Sequence, residues 1–156
     1  MKLPIILLPL ALAACNYVTM QPNTMDHGAK VFADRGGFTM RREIKDELAA
    51  RGFKVAVGTM RSSREYNGID DDELDSITND SNAIPADTKY VVRVRERTDV
   101  FMPYWCPFNG WWWWRFTVSI ADQETGKELL AWSGRGCANS SIRKLEGFLD
   151  QLEKKK

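Results

Sequence analysis

The first fourteen residues have the pattern of a cleavable export signal, so only the residues after them are expected to form the folded protein. The segment has a positive start at Lys2, an uncharged apolar run from Leu3 to Leu12 and two alanines before Cys15. This order is typical of a secretory signal peptide. The run has about half of the roughly 20 apolar residues that a membrane-spanning helix needs. We therefore predict that residues 1–14 are removed from the 156-residue chain and that the remaining 142 fold after export.

The end of this leader carries a second signal. Leu12-Ala13-Ala14-Cys15 fits all four lipobox positions and resembles the signal of bacterial lipoproteins. The resemblance implies that the Cys15 thiol receives a diacylglyceryl group, that the chain is cut before Cys15, and that the new amine is acylated with a fatty acid such as palmitate. In this family an Asp after the cysteine usually marks inner-membrane retention, so Asn16 implies the periplasmic face of the outer membrane. The alternative is an ordinary signal peptide with a chance cysteine.

The charge balance of the exported chain argues against a general attraction to polyanions. Removal of Lys2 reduces the 22 basic residues to 21, against 21 acidic residues. A formally neutral protein has no bulk electrostatic support for binding nucleic acid or anionic lipid. We expect the partners to be the membrane, reached through the lipid on Cys15, and an envelope protein or peptidoglycan, with no nucleic acid.

Side chains that could carry catalysis are few. His27, the one histidine, follows closely after Cys15, so a Ser-His-Asp or Cys-His site would have to be built around it. The acidic run Asp70–Asp75 lacks the spacing of a calcium-binding loop, which favours a solvated loop over a metal site. We find no phosphate-binding glycine loop and no metal-ligand cluster. We therefore expect no enzyme, no cofactor and no metal, with a carboxylate-based hydrolase as the alternative.

Two cysteines remain if lipid occupies Cys15. Cys106 and Cys137 would then lie in an oxidising compartment, where a disulfide is the default expectation. In a regular meander they flank a central strand, and two strand spacings of about 4.8 Å exceed the usual Cα separation of a disulfide. Cys106 lies between prolines outside regular structure and could still fold over. The compartment favours the bridge and the regular geometry opposes it; we expect the bridge.

Two helical patterns stand out. The first has Thr39 as N-cap and Gly52 past its end, and the second begins at Asn139–Ser141. Each has one apolar stripe, formed by Met40, Ile44 and Leu48 in the first and by Ile142, Leu145, Leu149 and Leu152 in the second. Residues 15–27 have neither a helical nor a strand period, so they are predicted to be the lipidated Cys15 and a tether.

Five strands are predicted around these helices. They are Ala29–Ala33, Phe53–Val57, Tyr90–Arg97, Trp111–Ala121 and Glu128–Cys137. A long polar loop, Thr59–Thr88, precedes the third strand, and a connection, Phe101–Gly110, with an Asn-Gly turn signal follows it. The order predicts one α/β (α+β) domain, residues 28–156. We expect a two-layer sandwich with a mixed five-stranded sheet and two helices on one face.

The tryptophan-rich strand should carry the binding residues. Because side chains alternate across a strand, Trp112 and Trp114 should lie under the helices with the apolar set. Trp111 and Trp113 should point to the open face with the polar set, and matching faces would bring in the arginines of the preceding strand. The predicted binding residues are Trp111, Trp113, Arg115, Arg93, Arg95 and Arg97.

Trp and Arg are enriched in binding hot spots, and each exposed Trp ring leaves about 150–250 Å² of mostly apolar surface in water. Three functions fit such a face: recognition of another envelope protein, binding of glycan or peptidoglycan, and docking on the bilayer. The alternative is that the tether or the long loop covers the rings. Ala50–Phe53 and Trp111–Trp114 also resemble segments of small proteobacterial envelope lipoproteins, which implies no particular activity. We expect an outer-membrane-anchored binding or accessory module.

Overall fold

The structure is a computed structural model that describes residues 17–33, 40–58 and 84–154, with only the backbone described at 97–99. Within these ranges the chain forms six strands and two helices. The strands are β1 (Tyr17–Met20), β2 (Lys30–Ala33), β3 (Lys54–Val57), β4 (Tyr90–Phe101), β5 (Trp112–Asp122) and β6 (Glu128–Cys137). The helices are α1 (Met40–Ala50) and α2 (Ala138–Leu152).

All six strands belong to one mixed sheet, in the order β1-β6-β5-β4-β2-β3. The pairs β2–β3 and β2–β4 are parallel, and β4, β5, β6 and β1 form antiparallel neighbours. Both helices pack on the same face, because alternate residues of the central strands share one core cluster with the helical stripes. The predicted two-layer α/β sandwich is confirmed.

The apolar stripes of both helices are confirmed as core. Met40, Ile44 and Leu48 of α1 are fully buried, and Gly52 after the helix has a φ of 83°, the left-handed conformation that glycine favours. In α2, Leu145, Leu149 and Leu152 are buried and Ile142 packs partly against them. Arg51 donates to Asp150 at 2.8 Å and so links the end of α1 to α2.

The predicted strand count of five is wrong, because the segment predicted to be a tether supplies a sixth strand. β1 pairs with β6 from Tyr17 opposite Ser133 to Met20 opposite Leu130. Its side chains are mostly exposed at the sheet edge, so polar and apolar residues do not alternate along it. The sequence therefore shows no strand pattern here. Residues 17–25 are therefore part of the domain.

The chain after β1 is also fixed, by backbone hydrogen bonds to the end of α2. The amides of Asn23 and Thr24 donate to the carbonyls of Gln151 and Leu152 at 2.8 and 2.9 Å. The amide of Lys154 donates to the carbonyl of Met25, whose side chain is buried. The two ends of the described chain are thus joined to each other.

Several predicted features lie outside the described residues. These are the lipobox with Cys15, the Thr39 cap, the part of the polar loop between 59 and 83 with its acidic run Asp70–Asp75, and the side chain of Arg97.

Candidate binding surfaces

The face of the sheet opposite the helices carries arginines on three neighbouring strands. Arg93 and Arg95 of β4 lie opposite Ser119 and Thr117 of β5, so the faces match as expected. Further along β5, Arg115 lies opposite Arg135 of β6. Arg93, Arg115 and Arg135 are exposed and Arg95 is half-buried. We call Arg93, Arg95, Arg115 and Arg135 the arginine face.

Arg135 is the member of this face that sequence reasoning missed. It lies between two glycines, Gly134 and Gly136, which obscure the alternation of β6. The alternation is nevertheless present, because Leu130, Trp132 and Gly134 are buried on the helix side. A Cβ on Gly134 would come within 2.9 Å of the Phe116 ring, so glycine at this strand position lets the aromatic core close.

A β-bulge interrupts β4 at Arg97. Glu96 pairs with Phe116 and Thr98 with Arg115, so Arg97 has no cross-strand partner. The prediction that Arg97 continues the regular strand pairing of Arg93 and Arg95 is therefore wrong. Glu96, the last residue before the bulge, lies on the helix side by regular alternation, and its carboxylate accepts a 2.7 Å hydrogen bond from the amide of Arg41 at the start of α1.

The four consecutive tryptophans occupy four different environments. Trp111 precedes β5 with a φ of 61°, so the prediction that it is a strand residue is wrong. Trp112 shares the helix-side parity of Trp114 but is 45% exposed. It lies beyond the first β5–β6 pair, Trp113 with Cys137, and packs against Phe101 with ring centroids 5.5 Å apart. Trp114 is buried as predicted, and Trp113 is half-buried beside Arg115.

The connection between β4 and β5 is an ordered loop. We call Phe101–Trp112 the aromatic loop. The amide of Met102 donates to the carbonyl of Trp111 at 2.8 Å, and the amide of Cys106 donates to the carbonyl of Met102 at 2.9 Å. Gly110 has a φ of 87° and an added Cβ would lie 2.8 Å from Ala138, so only glycine fits there without displacing α2.

A disulfide holds this loop against the end of β6. Cys106 and Cys137 are bonded, with Cα atoms 5.5 Å apart. The objection from strand spacing does not apply, because Cys106 is in the loop and not in a strand. The loop brings it next to Cys137 at the end of β6. The amide of Asn139 in the first turn of α2 also donates to the carbonyl of Asn109 at 3.4 Å.

The aromatic loop displays large rings to solvent. Tyr104 is 93%, Phe108 90% and Trp105 78% exposed. From Val100 to Trp114 the sequence has eight aromatic residues and no charged one. That absence of charge is the signal that could have identified the loop from sequence. The loop has no strand or helix period, so alternation does not reveal it.

The N-terminal strand enters the sheet from the same end as the aromatic loop. β1 is antiparallel to β6, and Tyr17 lies opposite Ser133, four residues before Cys137. At about 3.3 Å per residue, the loop end of β6 is about 13 Å further along. The N-terminal end of β1 therefore faces the end of the sheet that carries the aromatic loop.

The opposite end of the sheet is held by charge. Asp26 accepts hydrogen bonds from the Lys89 and Lys154 ammonium groups, and its amide donates to the Tyr90 hydroxyl at 2.9 Å. The hydrogen bond from Lys154, which has the larger effect, and the one from Lys89 lower the pKa of the Asp26 carboxyl to about 2. The cluster joins the N-terminal segment, β4 and the C-terminus.

Within the described ranges, the structure contains no grouping of three or more His, Cys, Asp or Glu side chains suited to a metal ion. In the same part of the chain, neither helix has the length and apolar character required to cross a membrane.

Comparison with known proteins gives a likeness of fold. No family model and no curated protein matches the sequence. Among solved structures, the chain is similar to a leucine-to-methionine variant of the PelC dodecamer from Paraburkholderia phytofirmans, with a TM-score of 0.50 and 12% identity over 90% of this chain and 98% of that one. A second PelC dodecamer structure from that organism aligns with a TM-score of 0.49 and 14% identity, over 88% and 98%. At 12% identity, the architecture is what the two proteins share.

Proposed function

We propose that this chain is a lipoprotein held on the periplasmic face of the bacterial outer membrane by acyl groups on Cys15. In this proposal it serves as a binding module that recognises another envelope component through the arginine face. The observation that carries the recognition role is the alignment of arginines from three strands on the face that the helices leave open.

The chemistry of the face favours an anionic partner. Arginine pairs with carboxylate and phosphate through two parallel hydrogen bonds. Of the hydroxyl groups on this face, that of Ser119 donates to the Glu128 carboxylate at 2.7 Å, and that of Thr117 lies 3.4 Å from the Ser133 hydroxyl. Arg115 lies directly opposite Arg135, and like charges in such positions destabilise a sheet by about 0.2–1 kcal/mol. A partner that brings negative charge to this face meets guanidinium groups from three strands.

An acidic surface of another envelope protein is the first candidate partner. Peptidoglycan is the second, and the half-buried Trp113 ring beside Arg115 favours it, because an aromatic ring can contact a sugar while guanidinium groups bind its carboxylates. The hydrolase alternative depends on Asp70–Asp75, which lie outside the described residues.

The anchor is tested by metabolic labelling with palmitate and by fractionation. We expect the wild-type chain to be labelled and to fractionate with the outer membrane, and Cys15→Ser to lose both the label and the outer-membrane location. A labelled Cys15→Ser chain, or an unlabelled wild type, would overturn the anchor.

The recognition face is tested by photocrosslinking in the envelope from a photoreactive residue at Ser119. Arg93→Glu with Arg115→Glu should abolish the adduct. Arg143→Glu with Lys144→Glu is the matched control, since it makes the same charge change at exposed positions on α2. For the second candidate, the same pairs are compared for sedimentation with purified sacculi. Equal behaviour of both pairs in both assays would refute a role for the arginine face.

A further inference from the structure

We propose that the aromatic loop, Phe101–Trp112, seats in the headgroup region of the phospholipid bilayer that holds Cys15. The proposal rests on the lipid anchor of the proposed function and adds a second, non-covalent contact with the same membrane. It gives the domain one orientation, with the strands upright on the bilayer.

The exposed side chains of the loop suit that environment. Trp and Tyr favour the membrane interface, where their rings enter an apolar layer and their polar atoms stay hydrated. Tyr104, Trp105 and Phe108 are almost fully exposed, and the stretch from Val100 to Trp114 would bring no charge into the lipid. An exposed apolar patch of this kind marks an interaction site in a protein that folds in water.

The loop is also held ready for such contact. The Cys106–Cys137 disulfide and the Met102–Trp111 hydrogen bond fix its backbone while the rings point outward. Insertion therefore requires little further ordering of the loop, and ordering is a main cost of binding.

The position of the anchor identifies the occupant. Cys15 lies two residues before Tyr17, so its Cα is within about 7 Å of that of Tyr17. The chain enters β1 from the end of the sheet that carries the aromatic loop. Acyl chains on Cys15 thus bring the bilayer surface to this end of the domain, whereas a protein partner has no comparable constraint to place it there.

Three charged residues lie next to the loop: Asp99 of β4, opposite Trp114, and the facing arginines of β5 and β6. The two arginines suit phospholipid headgroups. Along β5 and β6, the first charged side chains below the loop are Arg115 and Arg135, opposite each other in the ladder. Guanidinium groups at this depth are placed to meet phosphate groups while the rings lie deeper. The rest of the helix-free face, including Arg93, then looks sideways along the membrane, where it remains accessible to the partner of the proposed function.

The test uses the full chain with its own leader, carrying benzoylphenylalanine at Phe108 in cells labelled with palmitate. The control position is Glu124, in the exposed turn between β5 and β6 at the opposite end of the sheet. After irradiation, we expect a phospholipid adduct from position 108 and none from position 124. Introducing Trp105→Asp should remove most of the adduct from position 108, and Lys127→Asp should leave it unchanged.

Each outcome separates docking from anchoring. A palmitate-labelled chain whose position 108 yields only protein adducts, including adducts with a second copy, or none at all, overturns docking and leaves the anchor standing. A lipid adduct from an unlabelled chain supports docking and overturns the anchor, and absence of both signals overturns both. Intact mass before and after reduction confirms that the Trp105→Asp chain keeps its disulfide, so that a lost adduct reports the loop surface and not unfolding.

Discussion

At the scale of single residues, Asp26 joins segments of the chain that no sequence pattern brings together. Its carboxylate accepts from Lys89 before β4 and from Lys154 after α2, while its backbone binds Tyr90. The sequence shows only an isolated acid in an irregular segment. The contacts arise because β1 and the end of α2 bring three distant segments together, and no local pattern reports such a meeting.

We expect Asp26→Asn to lower the free energy of unfolding at neutral pH by about 0.2–1 kcal/mol, the range for a solvent-screened ion pair. The pKa of Asp26 is lowered from 3.8 to about 2, so its contribution is complete above the unfolded pKa and is lost as the pH falls from about 4 to about 2. Urea titrations of both proteins across this pH range measure the difference. A difference that persists at pH 2, or grows there, would contradict the assignment.

The opposed arginines make a prediction of the other sign. Arg115→Thr removes one of two like charges facing each other across β5 and β6 and should raise the free energy of unfolding by about 0.2–1 kcal/mol. Arg93→Thr is the control, because Arg93 faces Ser119 and no like-charge pair is relieved. Urea denaturation compares the three proteins. Equal effects of both substitutions would show that the opposition of Arg115 and Arg135 has no energetic consequence.

At the scale of elements, the disulfide closes a loop across a sequence separation of 31 residues. Chain-entropy arguments for a loop of that size give a stabilisation of about 3–4 kcal/mol. We expect the Cys106→Ser, Cys137→Ser double variant to lose that amount in a denaturation experiment, and wild type to lose the same on reduction. Reductant should have no effect on the double variant, and any such effect would point to another bond.

The elements differ in how far the sequence predicts them. α1 and α2 are predicted because their apolar residues recur at helical spacing. The predicted start of α2 at Asn139–Ser141 is wrong, because the helix begins at Ala138 without a side-chain cap. β1 is missed because four edge residues without alternation give no period. Trp112 is misplaced because alternation gives its face but not that β6 ends before it and leaves it exposed. Trp111 is misplaced because a non-glycine residue with positive φ leaves no mark in a run of identical side chains.

At the scale of the whole molecule, the fold class follows from element order, whereas the binding surfaces depend on how strand ends meet. The pairing of Arg115 with Arg135 needs the register of β5 and β6, and the aromatic loop needs the disulfide and the glycine at position 110. The sequence places the predicted binding residues among the tryptophans and arginines. It does not separate an arginine face from a terminal loop, because that division is three-dimensional.

The contact between the two ends of the described chain should contribute to the stability of the whole domain. The Met25 side chain is buried in the core, so Met25→Ala should cost about 2–5 kcal/mol in unfolding free energy, as for other large-to-small core changes. Val18→Ala in β1, whose side chain is partly exposed, is the control and should cost less. Were residues 15–27 a free tether, both changes would be neutral in denaturant titrations.

The antiparallel pairing of β1 with β6 determines how the domain bears mechanical force. Tension on the residues before Tyr17 runs along β1, while the β1–β6 hydrogen bonds lie across it, so they are loaded together in shear. They must rupture almost simultaneously, whereas a ladder peeled from one end opens one pair at a time. Under the anchor that we propose, a pull on Cys15 is therefore resisted at β1, before the load reaches the apolar interior.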